Sequence, residues 1–479
     1  MNTQRRLLLL ASVVLATLLV GSESHAQKKT NFSAGMPHCD VGLLYQISYQ
    51  PNWGDSHAVV VEVIPGSMAS RAGVRVGDIL LTINGKETRE MSEEAITNAL
   101  LDPSAKSVTL EVARLGNESL PIKLTHECTP VDELDERLMA SAFAMYSLED
   151  VVDRRFTMPL IHTLPTMRDF MAYKTFTVLP DQRHTHLGRT IAKELRAKGL
   201  VEVNTGGDLM LNIRGEVTPN PSYREGSEAN LDPNFRNYRY DYRTEWFEAF
   251  PFLSINAPAF SGKKRLRLEI ELYDQKDNTL VWSVTARELL NTDYSPENYV
   301  DAFAPLLLAN FPFMRYVMNP TFVRHQNTYR YTGISYDAND LQLIRAVAPN
   351  SPAAKAGLQE GDRIKSINGM PLDSDAEKMT KAYKDFIKAS WRLRNPDTTF
   401  PNDRGLQQCR YWSVDKYLQV AELLQQPKYC AAFSYLFSHR TYINSPIIKE
   451  IVFEIERNGE PLSALVTPKL VTLNYTELK

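Results

Sequence analysis

SMASRAGVRVGDILLTING, residues 67–85, returns almost unchanged as SPAAKAGLQEGDRIKSING, residues 351–369. Nine of the nineteen positions are identical, among them Ala72/Ala356, Gly73/Gly357, Gly77/Gly361, Asp78/Asp362, Ile83/Ile367, Asn84/Asn368 and Gly85/Gly369. Glycines and an Asn-Gly pair at fixed spacing are what tight turns require, so the phrase marks one supersecondary unit used twice. Upstream of the first copy, 57–64 (HAVVVEVI) is rich in β-branched residues and reads as a strand that Pro65-Gly66 turns. Ser67 caps a short helix over 68–72, and Gly73 ends it. Gly77-Asp78 makes a second turn, 79–83 a strand, and Asn84-Gly85 a hairpin. A longer helix follows over 92–101, with Ile96, Ala99 and Leu100 on one face; strands at 107–113 and 120–125 close the unit around Gly116-Asn117. The second copy repeats the order with a strand at 341–347, a short helix at 351–357 and a longer helix at 375–393. An aromatic-rich insertion over about 394–445 then delays the closing strands, 450–456 and 462–467.

This order of elements resembles the PDZ domain, in the permuted, often protease-associated form of bacterial envelope proteins, over residues 38–128 and again over 325–479. The resemblance implies a multidomain α+β chain: two PDZ-like, partly open β-barrels with two helices each, flanking a central α+β sandwich domain. It also implies recognition of extended peptides or free C-termini, which add a strand beside the longer helix while a loop of pattern x-Φ-G-Φ holds the carboxylate. Asp40-Val41-Gly42-Leu43 and Tyr331-Thr332-Gly333-Ile334 match that loop. The peptide-binding residues so implied are Val41, Gly42, Leu43 and Leu44 with Ile96 and Ala99, and Thr332, Gly333, Ile334 and Ser335 with Met379 and Tyr383. Leu44 and Ser335 stand where the family often carries a second glycine, which leaves binding of internal strands open. Ile96 is also readable as plain domain core.

Residues 154–312 form a separate central domain. Its strand 173–180, helix 187–198 ended by Gly199, strand 208–217, and hairpin 265–274/280–290 around Asp277-Asn278 are similar to an uncharacterised family of α+β domains in bacterial envelope lipoproteins. Within it, 235–252 (FRNYRYDYRTEWFEAFPF) alternates Tyr238, Tyr240 and Tyr242 with Arg239, Asp241 and Arg243. That period of two predicts a strand with its aromatics on one face, either turned to the core or exposed to a partner or glycan.

Arg5-Arg6, an apolar run over 7–20 and Ser24-His25-Ala26 read as a signal peptide over 1–26, so an exported protein is expected, periplasmic or at the cell surface. The run is shorter than the ~20 residues a spanning helix needs, and no integral span is expected after cleavage. Beyond residue 26 there are 52 basic and 56 acidic residues, a balance that gives no reason to expect nucleic acid as a partner. The four cysteines are expected to pair in an oxidising compartment, Cys39 with Cys128 and Cys409 with Cys430.

Catalytic signatures are not found. Gly54-Asp55-Ser56-His57 lacks the glycines of an oxyanion loop, and His126-Glu127 is followed by Cys128, not by the rest of a zinc-protease motif. His184-x-His186 has no suitably spaced third ligand, so neither metal nor cofactor is expected. The expectation is an exported non-enzymatic adaptor that binds peptide segments or C-termini of envelope proteins. Two alternatives stand beside it. One is an envelope protease or protease-regulatory subunit with an unrecognised site; the other is a structural protein whose grooves are filled by its own chain, with 394–445 as the plug.

Overall fold

The computed structural model describes residues 38–39, 41–102, 104–126, 128–129, 133–137, 139–140, 153–227, 237–373, 376–393, 399–401, 407–409, 416–429, 431–437 and 449–479. The expected signal peptide, 1–26, lies outside them, as do the side chains of Cys39, Cys128, Cys409 and Cys430. The chain is multidomain and mostly β, with helices packed on the sheets. It divides into two units: residues 39–128, 155–324 and 475–479 form one, and the other is built around 129–154 and 325–474.

In the first unit, the first copy of the repeat forms β1 (Leu43–Ile47), β2 (Ala58–Val63), α1 (Met68–Ala72), β3 (Ile79–Ile83), α2 (Glu93–Leu101), β4 (Ser107–Arg114) and β5 (Asn117–Thr125). The five strands run β1-β2-β3-β4-β5 in one antiparallel sheet. Ser67 caps α1 by accepting from the Ser70 N–H at 3.2 Å, and Gly73 ends it at φ +89°. Val60, Leu80, Leu110, Val112 and Leu124 point into an apolar core that Met68 and Ala69 of α1 and Ile96 and Leu100 of α2 complete.

The central domain follows in the same unit. Its strands are β6 (Leu160–Thr163), β7 (Thr175–Val178), β8 (Val201–Glu202), β9 (Leu209–Pro219), β12 (Lys264–Asp274) and β13 (Thr279–Leu290). They form one sheet in the order β6-β13-β12-β9-β7-β8, parallel only where β7 meets β8 and β9. Helices α3 (His186–Lys198) and α4 (Pro296–Leu307) pack together against it. The aromatic run becomes a hairpin of β10 (Asn237–Asp241) and β11 (Trp246–Phe250). Tyr240 is core, but Arg239 and Asp241, expected on an opposite and polar face, are fully buried as well. Arg239 forms an ion pair with Glu288 of β13, Tyr299 of α4 donates to the same carboxylate at 2.8 Å, and the guanidinium lies 4.7 Å from the Phe252 ring centroid.

In the second unit, the second copy forms β14 (Ile334–Asp337), β15 (Ile344–Val347), α5 (Pro352–Lys355), β16 (Arg363–Ile367), α6 (Ala376–Ser390), β17 (Ile451–Arg457) and β18 (Glu460–Val466). The insertion adds α7 (Tyr417–Leu424) and α8 (Ala431–Phe437) between α6 and β17. Val420, Leu424, Tyr429, Phe433 and Leu436 of this insertion join the module's own core, so α7 and α8 fill it.

The shared identities have a shared physical role. Asp78 is buried and accepts two bonds from Arg114, from Nε and Nη2, each at 2.7 Å, and a third bond from Arg114 reaches the Gly73 carbonyl at 2.8 Å. Asp362 receives Arg457 at 2.6 and 2.7 Å, and Arg457 reaches Gly357 at 2.8 Å. Asn84 and Asn368, both at positive φ, tie their turns to Thr109 and Val452 through side-chain oxygens at 2.9 and 2.8 Å. Asp362→Ala therefore removes both carboxylate contacts of Arg457 and frees the Gln359 N–H, which donates to Asp362 Oδ2 at 2.9 Å. A loss of about 2 kcal/mol in unfolding free energy is expected in urea titration, and a loss below ~0.5 kcal/mol would contradict this role.

Candidate peptide-binding grooves

Each module places its x-Φ-G-Φ loop at the start of its first strand, against the cap of its short helix. Gly42 sits at φ +70° and Gly333 at φ +88°. A Cβ at these positions would lie 2.1 Å from Ser67 Cβ and 2.2 Å from Ser351 Cβ, so glycine is required by conformation and by contact. The loop carbonyls are engaged inside each module. Val41 and Gly42 accept from Ala69 and Ile64 at 3.0 and 2.8 Å; Thr332 and Gly333 accept from Ala353 and Ala348 at 2.9 and 2.8 Å.

With the carbonyls held inward, the N–H groups of the second loop face a carboxylate. Thr332 N–H and Gly333 N–H each donate to Glu136 Oε2 at 2.8 Å, and the Thr332 hydroxyl donates to Oε1. Two residues before Glu136, the strand Glu133–Leu134 ends; it pairs antiparallel with β14, Leu134 opposite Tyr336 and Glu133 opposite Asp337. The chain itself thus supplies an added strand and a carboxylate to this loop, from 196 residues away. Burial pushes the Glu136 carboxyl up to about 7, against the lowering effect of the Thr332 and Gly333 donors. Among the described residues the occupant of this seat is 133–136, a source that the expectation of a plug from 394–445 did not name.

In the first module β1 is an edge strand among the described strands, with Leu44 exposed. Tyr45 leaves β1 and reaches α2, where its hydroxyl donates to the Glu93 carbonyl at 2.8 Å and lies 2.8 Å from Thr97 Oγ1. Burial raises its pKa above the ordinary phenol value. Tyr45 and Thr97 therefore line the space between β1 and α2, and neither was marked by the loop pattern. Ile96, expected to line a pocket, is wholly buried among Leu80, Leu100 and Val108 and belongs to the core; Ala99 beside it is half-buried. Val41 is buried, and Leu43 packs on the same core. In the second module Ile334 is buried and Ser335 half-buried. Met379 and Tyr383 lie on α6, but their side chains fall outside the described residues.

Two of the histidines considered for catalysis or metal make hydrogen bonds within the fold. His57 Nδ1 meets the Gly54 carbonyl at 2.9 Å, and His186 Nε2 meets Asp301 at 2.7 Å, linking α3 to α4. No described helix is long and apolar enough to cross a membrane.

Residues 59–114 and 343–390 match the PDZ domain family, and residues 165–313 between them match a domain of unknown function (DUF4136). A crystal structure of a PDZ domain protein from Parabacteroides distasonis ATCC 8503 is similar across 93% of this chain and 100% of its own, at 31% identity and a TM-score of 0.81. Two curated proteins described as serine protease HTRA1, from Xenopus laevis and Xenopus tropicalis, are 41% and 39% identical over 71 residues, 15% of this chain. The chain spans 14% of the length of those relatives.

Proposed function

The chain belongs to the PDZ domain proteins, and from that premise we propose that it is an exported, non-enzymatic adaptor. Its two modules hold extended segments or C-termini of envelope proteins by strand addition, with the two cysteine pairs closed as disulfides. The observation that carries this reading is the seat of Glu136. Two backbone N–H groups and one hydroxyl converge on a carboxylate two residues beyond a strand that has taken an antiparallel partner. Those are the two elements of peptide recognition by a sheet edge: main-chain pairing for affinity and a fixed anion seat for register. The first module has the same glycine loop and helix cap beside an edge strand. Two modest sites on one chain raise avidity when a target can span both.

The test passes the mature protein over libraries of free-C-terminus and amidated peptides, alongside Gly42→Trp and Gly333→Trp. Binding is expected to fall at least tenfold in the variant whose module is engaged. Each variant serves as a folding control for the other module. Binding that neither variant disturbs would sink the assignment.

A second reading, a structural protein with permanently filled grooves, draws on the same Glu136 contact. It predicts no peptide binding by wild type or by any variant.

A further inference from the structure

Resting on that reading of the second module as a peptide site, we propose that residues 133–136 are a displaceable built-in ligand. The partner this module takes in trans is then an extended segment with an aliphatic residue two positions before a carboxylate, competing with Leu134 and Glu136 for the same seat. The register comes directly from the occupant: Leu134 lies opposite Tyr336, and the Glu136 carboxylate is gripped by Thr332 and Gly333. The Thr332 hydroxyl matters here. Threonine occupies a position where the loop pattern calls for an apolar residue and where the first module has Val41, and it gives the second seat a third donor that the first lacks. Three donors aimed at two oxygens select a carboxyl over an amide, one of whose two positions is itself a donor.

Three observations point to displacement and not to permanent filling. Among the described residues the pairing spans two residues of each strand, so few main-chain bonds there hold the segment down. Glu136 is almost wholly buried, and desolvating its carboxylate opposes docking. The Tyr336 hydroxyl, fully buried and close enough to Glu136 to feel its charge, has no hydrogen-bond partner among the described residues, so the present occupant leaves it unsatisfied. A competing ligand that supplies an acceptor there gains a bond the built-in segment does not make. Met139 and Ala140, buried in the module's core, hold the segment close when it lifts. A tethered competitor at an effective concentration of about 1 mM masks a groove of ~10 μM intrinsic affinity by roughly a hundredfold.

The experiment measures binding of fluorescent peptides to the full mature chain, as wild type, Glu136→Gln, Glu136→Ala and each with Gly333→Trp added. The probes are a capped peptide of residues 129–140, the same peptide with Glu136 replaced by Gln, and a peptide ending at a free carboxylate two residues after leucine. The first and third probes separate a glutamate side chain from a C-terminus as the source of the carboxylate. Binding to Glu136→Ala is expected to be about 10–100 times tighter than to wild type, with Glu136→Gln between them, and to vanish with Gly333→Trp. The Gln peptide is expected to bind at least tenfold more weakly. Amide exchange at Thr332 and Gly333 should quicken in Glu136→Gln while that at Ile364 and Ile367 does not, which separates an opened groove from an unfolded module. Equal affinity in wild type and both Glu136 variants overturns the proposal. So does a second module that never binds while the first still does; loss of binding by both modules would instead remove the adaptor reading beneath it.

Discussion

Glu288→Ala lowers the unfolding free energy of the chain by about 3–5 kcal/mol, the cost of leaving a buried charge without its partner. The side chains of Arg239 and Glu288 are 0% and 1% exposed, so water cannot compensate Arg239 once the carboxylate is gone. Tyr299 loses the acceptor of its hydroxyl at the same time. The faces of Phe252 and Phe303, 4.7 and 5.7 Å from the guanidinium, offset part of the loss but present no hydrogen-bond acceptor. The double replacement Arg239→Met/Glu288→Leu is expected to recover most of the stability, because apolar side chains of similar volume need no pairing. Urea denaturation of the three proteins is the measurement. A loss below ~1 kcal/mol in Glu288→Ala would mean that the hairpin β10–β11 is not pinned through this pair.

The first module was legible almost to the residue where backbone conformation alone decides. Ser67, Met68–Ala72 and Gly73 form the capped helix that their types demand, because a hydroxyl acceptor and a positive φ are local requirements. What joins distant segments was not legible. Asp78 and Asp362 stood out as repeated, yet their partners Arg114 and Arg457 come from strands 36 and 95 residues away, and the two separations differ because only the second module carries an insertion. The alternation at 238–243 located a strand correctly but misjudged its surroundings. A period of two distinguishes faces, and it cannot tell that Glu288 waits on the face given to Arg239. Glu136 was hidden for the same reason: 133–137 (ELDER) has the composition of a solvated linker, and only the fold brings it to Thr332. Ile96 was readable as core or pocket because both lie on the apolar face of α2, and burial settles it as core.

The stability of the second module is expected to fall as pH rises from about 4.5 to about 7, and Glu136→Gln is expected to remove that fall. The folded carboxyl titrates at about 7 against an ordinary value of 4.5, so within this window the folded module keeps a proton that the unfolded chain has released. Protons then favour the folded state; the contribution is complete below pH 4.5 and lost once pH passes 7. At 1.36 kcal/mol per pH unit the effect is at most about 3 kcal/mol. Asp135 also raises the value, and the Tyr336 and Tyr329 phenols near Glu136 stay neutral, since burial and the Glu136 charge hold their own titrations far above this range. His162 of the central domain works in the opposite direction. Burial pushes its pKa down to about 4, so the first unit gains stability as pH rises from 4 towards 6.5. The comparison must therefore be wild type against Glu136→Gln at pH 5, 6, 7 and 8, where His162 cancels. A difference between the two proteins that grows in favour of the variant towards pH 8 supports a buried, charged Glu136; a constant difference contradicts it. The same linkage acts on docking of 133–136, because a released Glu136 returns to its ordinary pKa. Alkaline conditions then loosen the built-in ligand, and a competing free C-terminus, already ionised throughout this range, gains on it as pH rises.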